Sequence, residues 1–585
     1  MHWKPRATNA DIEKKMIQVH LSVPHVHRKM VHVHIRFTAP VKNPQLQLAS
    51  WRPGRYEMGN FAKNVSHVLC LENGNTAKWK KTAKDQWEIE CEAGSTIEFS
   101  YNYSALELNA GSTYANSKML YVNPVNCIAF LPQNLDESYE LNIVGNYNFL
   151  STGIQSNGLQ FHAKNFDELA DTPFVACYER EVLSFIQDSI HFEVHFFGES
   201  TLDKHVLLEQ IKKYTALQIG IFRGFPEPLE RYVYLLHFTP HFMHHGVEHT
   251  TSTVIAMGPG DSFERLEKHN ELLAICSHEL FHTWNVKTLR PKDMVPYDFT
   301  RENYTQLGYV AEGVTTYYGD LCLIRSGIWN LENWKLSCED WLNNHHKNYG
   351  RFSYSIADSS IDTWLDGYNA GVPWRKVSIY NEGALLTMYL DLLLLLHSNG
   401  ENSMDDVMCS LFEQYALPHG NGYSANEYWN AIAHFGIANA NEIREAMAES
   451  PCDFSKYLED LFKDFGVILS WKKSTQTTEH SFGFSVDISQ EKSIITSVAP
   501  HSAADWGGLW YGDEIIEVDG ISVSKNVQFL LENSKQANIR FVRNKVEFET
   551  EIHFDPERPT IQKAEISWPN DPNALFKSWI GQRFK

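Results

Sequence analysis

The chain is organised around one stretch, Cys276-Ser277-His278-Glu279-Leu280-Phe281-His282-Thr283-Trp284-Asn285. The pattern His-Glu-x-x-His stands late in a run that predicts a helix, begun by a turn and N-cap at Pro259-Gly260-Asp261. Residues four apart on a helix lie one turn above each other, so His278 and His282 can share one metal ion. Glu279 would lie beside that ion, where a carboxylate can accept a proton from water. The alternative is an amphipathic surface helix with two ordinary histidines.

Size and composition indicate a globular protein of several domains. With 585 residues the chain is too long for one core, and about three or four domains are expected. Hydrophobic residues make up 43% and aromatic residues 13%, which is typical of well-packed rather than disordered chains. The formal charge is −21, and there is no long basic block. This charge argues against nucleic acid or an anionic membrane as the main partner.

The sequence predicts a cytoplasmic location. Residues 1–6 are not followed by an apolar run of signal-peptide length, and the apolar residues 385–396 are too short a run to span a bilayer. The nine cysteines are scattered and never spaced Cys-x-x-Cys, so reduced, mostly buried thiols are expected. The alternative is a secreted or periplasmic mature form whose signal has been removed.

Four segments are predicted, which together give a multi-domain α+β fold. Residues 1–185 alternate polar and apolar side chains and predict an N-terminal β-sandwich-like domain. Residues 186–470 begin with strands, among them an edge strand at 246–257 bordering a cleft, and continue as helices. Residues 475–555 predict a small β-rich module, and the aromatic tail at 556–585 is expected to pack on the body of the protein.

A catalytic zinc ion usually has three protein ligands, so a third must come from another element. Glu312 begins a helical pattern 30 positions after His282 and lies among apolar and aromatic residues. An unpaired carboxylate would be costly there, which favours a ligand over a solvated surface residue.

Two further candidates concern peptide binding. Glu248, in Gly246-Val247-Glu248-His249, could hold the free amino group of a substrate, which would distinguish an exopeptidase from an endopeptidase. The alternative is a polar residue on an edge strand. Tyr380 could donate a hydrogen bond to a developing oxyanion, although periodicity alone equally fits a packed aromatic side chain.

The sequence resembles the PDZ-bearing glycyl aminopeptidase family of gluzincin metallopeptidases over essentially its whole length. The residues that carry the resemblance are His278-Glu279-Leu280-Phe281-His282-Thr283-Trp284-Asn285-Val286-Lys287, Leu289-Arg290-Pro291, Thr300-Arg301-Glu302-Asn303-Tyr304-Thr305, Glu312-Gly313, Tyr317-Tyr318, Arg325-Ser326-Gly327, Gly246-Val247-Glu248-His249, Tyr380, Gly383-Ala384-Leu385, Leu390-Asp391-Leu392 and Trp51-Arg52-Pro53-Gly54.

The resemblance implies a thermolysin-like zinc peptidase domain at residues 186–470. It implies zinc on His278, His282 and Glu312, with Glu279 as the general base. It also implies that Glu248, with Gly246 and Val247 before it, binds the substrate amine and that Tyr380 stabilises the transition state. The family's preference for Gly and Ala implies small N-terminal residues.

The sequence departs from the family pattern at three places. His245 and Val247 flank Gly246 where the family often has Gly-Gly, Thr288 replaces a second basic residue, and Glu382 replaces a frequent Lys. These departures leave the zinc chemistry intact and bear on substrate preference.

The module at 475–555 resembles a PDZ domain. Phe482, Gly483 and Phe484 stand where that fold has its carboxylate-binding loop, and backbone amides there could capture a peptide C-terminus. The opposing interpretation is a rigid lobe whose groove is shut by the tail or by a neighbouring domain.

We therefore expect a zinc-dependent aminopeptidase with one zinc ion per chain, acting on peptides and carrying no membrane span. The alternatives are an endopeptidase on the same zinc site and a non-catalytic, PDZ-type peptide-binding protein.

Overall fold

The computed structural model describes residues 16–369, 371–417, 420–488, 492–523 and 527–581. Two segments that the sequence analysis used lie outside the described residues. They are residues 1–15, on which the expectation about a signal peptide depends, and residues 582–585 of the tail. The chain forms two compact units, residues 1–304 with 412–423, and residues 305–411 with 424–585.

The N-terminal part of the first unit is β-rich, as predicted. Its strands are β1 (Ile17–Ser22), β2 (Met30–Thr38), β3 (Gln45–Gln47), β4 (Val65–Glu72), β5 (Asn75–Thr76), β6 (Trp79–Ala83), β7 (Gln86–Ile89), β8 (Thr96–Ser104), β9 (Tyr114–Ala115), β10 (Met119–Val122), β11 (Tyr139–Val144), β12 (Phe149–Thr152), β13 (Ser156–Asn157), β14 (Gln160–Ala163) and β15 (Phe174–Cys177). Two short helices, α1 (Pro124–Cys127) and α2 (Phe166–Ala170), interrupt them.

These strands form three sheets among the described residues, in the orders β13-β14-β11-β1-β2-β8-β4-β5, β12-β15-β10-β9 and β3-β7-β6. Period-two alternation buries every second residue of β1 and β2, because successive side chains of a strand point to opposite faces. Short 3₁₀ turns lie at Val26–Arg28 and Phe61–Asn64.

The rest of the first unit is built on a five-stranded sheet in the order β16-β17-β18-β20-β19. Its strands are β16 (Glu181–Gln187), β17 (Ile190–Phe197), β18 (Arg231–Phe238), β19 (Met243–Glu248) and β20 (Ser252–Gly258), and helix α3 (Lys204–Ile221) connects β17 to β18. The four-stranded N-terminal sheet packs on this sheet through Tyr121 and Val175 against Val233 and Val254. The N-terminal strands are thereby fixed beside β19.

The structure differs from two expectations in this region. Residues 246–257 form a hairpin of β19 and β20 rather than one strand, because Asp171, remote in sequence, holds the turn between them. The predicted boundary at residue 185 falls inside β16, which pairs with β17 along its length.

Helix α4 (Leu266–Phe281) carries the His-Glu-x-x-His pattern. Leu272, Cys276 and Leu280, spaced by four, are fully buried on one face of it. The predicted cap at Asp261 is wrong, since residues Gly260–Ser262 form a separate 3₁₀ turn and α4 is preceded by Arg265. After His282 the chain continues as a π-helix, Thr283–Thr288, with a kink at Asn285, and a 3₁₀ turn at Lys292–Met294 follows.

The second unit begins with helices. They are a π-helix (Tyr309–Val314), α5 (Thr315–Arg325), α6 (Leu331–Lys347), a 3₁₀ turn (Tyr349–Phe352), α7 (Ile356–Asp366), α8 (Asn381–His397), α9 (Met404–Tyr415), α10 (Ala425–His434), α11 (Ala440–Ile443), a π-helix (Arg444–Ala448) and α12 (Phe454–Asp464); α9 crosses into the first unit at residue 412. The apolar run at 385–396 lies in α8, the buried central helix. In the described part of the chain no helix is long and apolar enough to cross a membrane.

The second unit ends with the PDZ-like module, whose strands follow the order β22-β23-β24-β26-β27, with β25 beside β24. The elements are a π-helix (Thr478–Phe482), β22 (Phe484–Asp487), β23 (Ser493–Val498), α13 (Ala503–Trp506), β24 (Glu514–Val518), β25 (Ile521–Ser522), α14 (Val527–Leu530), β26 (Gln536–Arg543) and β27 (Val546–His553). A two-stranded sheet pairs β21 (Ile468–Lys473) with β28 (Gln562–Ser567), and α15 (Ala574–Ile580) follows.

The tail lies against the helices of its own unit. Trp579 of α15 is fully buried, and its indole nitrogen donates to the hydroxyl of Tyr317 at 2.9 Å. The guanidinium of Arg325 donates in turn to the carbonyl of Trp579 at 2.9 Å.

Candidate functional site

The two motif histidines are positioned to share a metal ion. The Nε2 atoms of His278 and His282 lie 3.0 Å apart, and their ring planes meet at 87°. Two nitrogens bound to one tetrahedral zinc ion at about 2.0–2.1 Å would lie about 3.3 Å apart. The spacing of the two rings therefore fits a common ion.

The protonation of these rings also fits metal binding. Nδ1 of His282 lies 2.8 Å from the carbonyl oxygen of Asn285, which can only accept, so Nδ1 carries the proton and Nε2 presents its lone pair. Burial, and then the neighbouring His282, hold the pKa of His278 well below its usual 6.5. Both rings thus match the neutral imidazole that a metal requires. The kink at Asn285 supplies the carbonyl that orients His282.

Two buried carboxylates lie beside His282. Ligand atoms of Glu248, Glu279 and His282 all lie within 4.8 Å of one another, and the two glutamates are 5% and 6% exposed. Glu279 comes from α4, and Glu248 is the last residue of β19, the edge strand of its sheet. Two adjacent carboxylates offer several acceptor oxygens with which a cation or an ammonium group can pair.

A buried ion-pair network holds the chain just after Glu248. Asp171 accepts from Lys287 at 2.7 Å, from the ring of His249 at 3.1 Å, and from the backbone N–H of Thr250 at 2.8 Å. Burial alone would raise the pKa of Asp171, but the charge of Lys287 and the bond from His249 lower it well below its usual value. Asp171 therefore stays ionised and fixes the turn that ends β19.

Two glycines allow backbone to approach these carboxylates closely. A Cβ on Gly54, in the segment Trp51-Arg52-Pro53-Gly54, would lie 2.3 Å from a carboxylate oxygen of Glu248. A Cβ on Gly246 would lie 2.2 Å from an oxygen of Glu279. No other residue fits at either position without moving a carboxylate. The indole nitrogen of Trp51 donates to the carbonyl of Arg55 at 2.6 Å and so bridges the turn that contains Gly54.

Glu312 and Tyr380 lie on neighbouring elements of the second unit. Glu312 is 5% exposed and belongs to the π-helix Tyr309–Val314, and Tyr380 immediately precedes α8. The two elements touch through Gly313 and Gly383, where a Cβ on Gly313 would lie 2.3 Å from the Cα of Gly383. This close packing explains the glycines at both positions and brings the start of α8 beside the turn that carries Glu312.

Glu382, which stands where the family pattern often has Lys, is a buried residue of the core. It is 1% exposed and accepts a hydrogen bond from Nδ1 of His345, whose Nε2 lies 3.2 Å from Asp453. Burial opposes protonation of His345, but the charge of Glu382 and the bond to Asp453 raise its pKa above the usual 6.5. The substitution thus serves the packing of α6 and α8.

The predicted carboxylate-binding loop is tightly packed. Phe482 and Phe484 are fully buried in the core of the module, and a Cβ on Gly483 would lie 2.4 Å from the Cβ of Ser502. The backbone N–H of Gly483 is already bonded to the carbonyl of Thr478.

The loop also contains a carboxylate of its own. Glu479 accepts from the hydroxyls of Ser474 and Ser485 and lies 3.3 Å from the ammonium of Lys347. Burial would raise the pKa of Glu479, but these hydroxyl bonds and the Lys347 charge lower it, so the carboxylate is ionised.

Sequence reasoning missed two supporting features. Asp171 stands in no motif, and its role depends on contacts with residues more than 75 positions away. Gly54 belongs to the segment Trp51-Arg52-Pro53-Gly54, which resembles the family, but nothing in the sequence places Gly54 against Glu248.

Family models match three parts of the chain. The model described as M61 glycyl aminopeptidase matches residues 271–386, which include His278, Glu279 and His282. The Peptidase M61 N-terminal domain matches residues 18–178, and the PDZ domain matches residues 470–542. No curated protein sequence matches the chain.

A solved structure shares the fold. An aminopeptidase N family protein from Idiomarina loihiensis superposes with a TM-score of 0.88 at 23% identity, covering 97% of this chain and 100% of that one. An M1 zinc metallopeptidase variant from Deinococcus radiodurans, bound to a Tyr-Ser-Ala substrate, has a TM-score of 0.43 at 15% identity over 74% of this chain and 92% of its own. The first likeness establishes the fold, and the second is too weak to bear on function. The family matches identify an M61 N-terminal domain at residues 18–178, an M61 glycyl aminopeptidase domain at residues 271–386 and a PDZ domain at residues 470–542, and the chain is a metallopeptidase.

Proposed function

We propose that the protein is a zinc-dependent aminopeptidase that removes small N-terminal residues, Gly or Ala, from peptides. One zinc ion per chain would be held by His278 and His282 and, on the sequence grounds given above, by Glu312. The observation that carries the proposal is the cluster on α4 and β19, with two imidazole Nε2 atoms 3.0 Å apart and two carboxylates beside His282.

The zinc ion would polarise the scissile carbonyl and lower the pKa of the attacking water toward about 7. Glu279 accepts the proton of that water and then passes a proton to the leaving amine. This role is supported by the distance between its carboxylate and a ring nitrogen of His282, which is within 4.8 Å. We assign to the Tyr380 hydroxyl a hydrogen bond to the oxygen on which negative charge develops.

Glu248 provides the selection for a free N-terminus. A substrate ammonium group would find two nearly buried carboxylates, Glu248 and Glu279, within reach of each other. A blocked N-terminus would leave the buried charge of Glu248 without its partner, which typically costs several kcal/mol. This penalty favours an aminopeptidase over an endopeptidase on the same residues.

The close approach of Gly54 to Glu248 supports a preference for small residues. The backbone at Gly54 already touches the carboxylate that would bind the amine, so little space is left around the first side chain of the substrate. Gly246 approaches Glu279 in the same way, and with Val247 it forms the edge-strand backbone along which the N-terminal residue would lie.

The test compares free and acetyl-blocked glycyl peptides on the zinc-loaded protein, with a panel of aminoacyl fluorogenic substrates for side-chain preference. We expect cleavage of the free peptides only, fastest for Gly and Ala. Equal cleavage of blocked and free peptides would instead identify an endopeptidase. The non-catalytic, peptide-binding alternative is set aside by the match of the peptidase model over the motif helix.

The cysteines support the predicted cytoplasmic location. All nine are buried thiols, and burial raises the pKa of Cys127 to about 12. A reducing compartment would suit this arrangement.

A further inference from the structure

A cavity of about 540 Å³ opens in the second unit, between the helical part and the PDZ domain. Its volume falls in the range of small-molecule and peptide sites, roughly 300–1,000 Å³. One wall is formed by α6 and by residues from 363–369 and 371–380, and the other by β22, β23 and Trp510 of the PDZ domain. The PDZ domain is therefore part of this cavity.

Direct contacts join the two walls of the cavity. The rings of Trp374 and Trp510 meet edge to face at 4.7 Å, and Lys347 of α6 lies 3.3 Å from Glu479 of the PDZ loop. Below them, Asn343 and Glu339 of α6 accept hydrogen bonds at 2.7 Å from the backbone of β28. A preformed site of this kind loses less ordering entropy on binding than a flexible one.

The charge of the cavity favours an anion. Among the described lining residues Lys347 and Lys376 are the charged ones, and no Asp or Glu is present. Lys347 is ion-paired with Glu479 and Lys376 with Asp366, and neither carboxylate is among the lining residues, so the charged residues that line the cavity are both cationic. An ammonium group has three N–H donors, so the carboxylate of a peptide can join either ion pair as a further acceptor.

Tyr380 connects the cavity to the proposed chemistry, because the same side chain lines it. We propose that the cavity binds the residues C-terminal to the scissile bond of a short peptide, with its terminal carboxylate near Lys347 and Lys376 and its side chains against Trp374 and Trp510. This inference rests on the proposed function, which assigns Tyr380 to the scissile bond.

The PDZ loop is a poorer receptor for that carboxylate. The N–H of Gly483, which a carboxylate-binding loop would offer to the ligand, is already bonded to the carbonyl of Thr478 within the loop. The side chain of Gln528 also links α14 to Thr478 of the loop. It accepts a hydrogen bond from the Thr478 backbone N–H at 3.0 Å and donates one to the Thr478 hydroxyl at 2.8 Å. The PDZ domain would thus serve as a wall of the substrate site.

The test measures kcat/KM for glycyl peptides of two to five residues, each as the free acid and as the C-terminal amide. A charge-assisted contact to the carboxylate predicts a preference for the acid of about tenfold at the length that reaches the lysines. The preference should disappear for longer peptides that extend past the cavity.

Two variants locate the contact. Lys347→Met and, independently, Lys376→Met should bring the acid-to-amide ratio close to one. Lys335→Met is the matched control, because Lys335 is on the same helix, makes surface ion pairs with Glu332 and Glu339, and does not line the cavity. The Lys335→Met variant should keep the ratio of kcat/KM for the free acid to kcat/KM for the amide that the unmodified protein shows.

Equal hydrolysis of acid and amide at every length would overturn the inference while leaving the proposed function intact. A preference that survives both cavity variants would also overturn it, as would loss of the preference in Lys335→Met. Failure to hydrolyse either form would overturn the proposed function and this inference with it.

Discussion

Replacing Gly54 with alanine tests whether the N-terminal domain shapes the amine site. The new Cβ would lie 2.3 Å from a carboxylate oxygen of Glu248, and ordinary contact begins at 3.4 Å. The carboxylate must therefore move by about 1 Å, and a displacement of that size in a positioned group can lower the rate about 100-fold. This corresponds to about 2.7 kcal/mol in the barrier.

The same change also strains the backbone, so the two effects must be separated. Gly54 has φ +74, which costs a non-glycine residue about 1–2 kcal/mol of folding stability. Gly74 is the matched control, because it has φ +82 and nothing within 4 Å of the position of a Cβ. Gly74→Ala should lose similar stability in thermal unfolding and keep its activity.

The assay is kcat/KM for a glycyl fluorogenic substrate, measured well below the melting temperature of both variants. We expect a loss of about 100-fold in Gly54→Ala and little change in Gly74→Ala. Full activity in Gly54→Ala, or an equal loss in both variants, would refute the reasoning that Gly54 sets the position of Glu248.

Three further outcomes are expected. Glu279→Gln should abolish turnover while zinc content, measured by mass spectrometry, stays at one ion per chain; residual activity near that of the unmodified protein would argue against the general base. Lys287→Met should destabilise the protein by about 3–5 kcal/mol in urea unfolding, because it leaves the buried carboxylate of Asp171 uncompensated, and the double change with Asp171→Leu should recover part of this loss. The pKa of His345 is raised above 6.5 in the folded state, so its ion pair with Glu382 stabilises the fold fully below pH 6.5. This contribution to the free energy of unfolding is lost as the pH rises through the pKa that His345 has in the folded protein. His345→Gln should flatten this dependence, and an unchanged pH profile of unfolding would contradict the assignment.

The sequence predicted the elements whose signals are local. Helix α4 follows from the four-residue spacing of its buried face and from the histidine pattern, and strands β1 and β2 follow from their alternation. The fold class and the PDZ domain followed from the family resemblance, which the family models confirm.

What the sequence did not reveal depends on contacts between distant residues. The turn between β19 and β20 has no Gly or Pro to mark it, because Asp171 stabilises it from outside the hairpin. Gly54 and Glu248 meet only after the N-terminal sheet has packed on the five-stranded sheet. The role of Glu382 likewise depends on His345, which lies on another helix.

The central claim is that peptide hydrolysis depends on a zinc ion held by the histidines of α4. The most direct measurement follows glycine release from a glycyl peptide after removal of metal with a chelator and after stepwise return of zinc, with bound zinc measured at each step. We predict loss of activity on removal and full recovery at one zinc per chain, and no recovery in His282→Ala. Activity that survives complete removal of metal would contradict the claim.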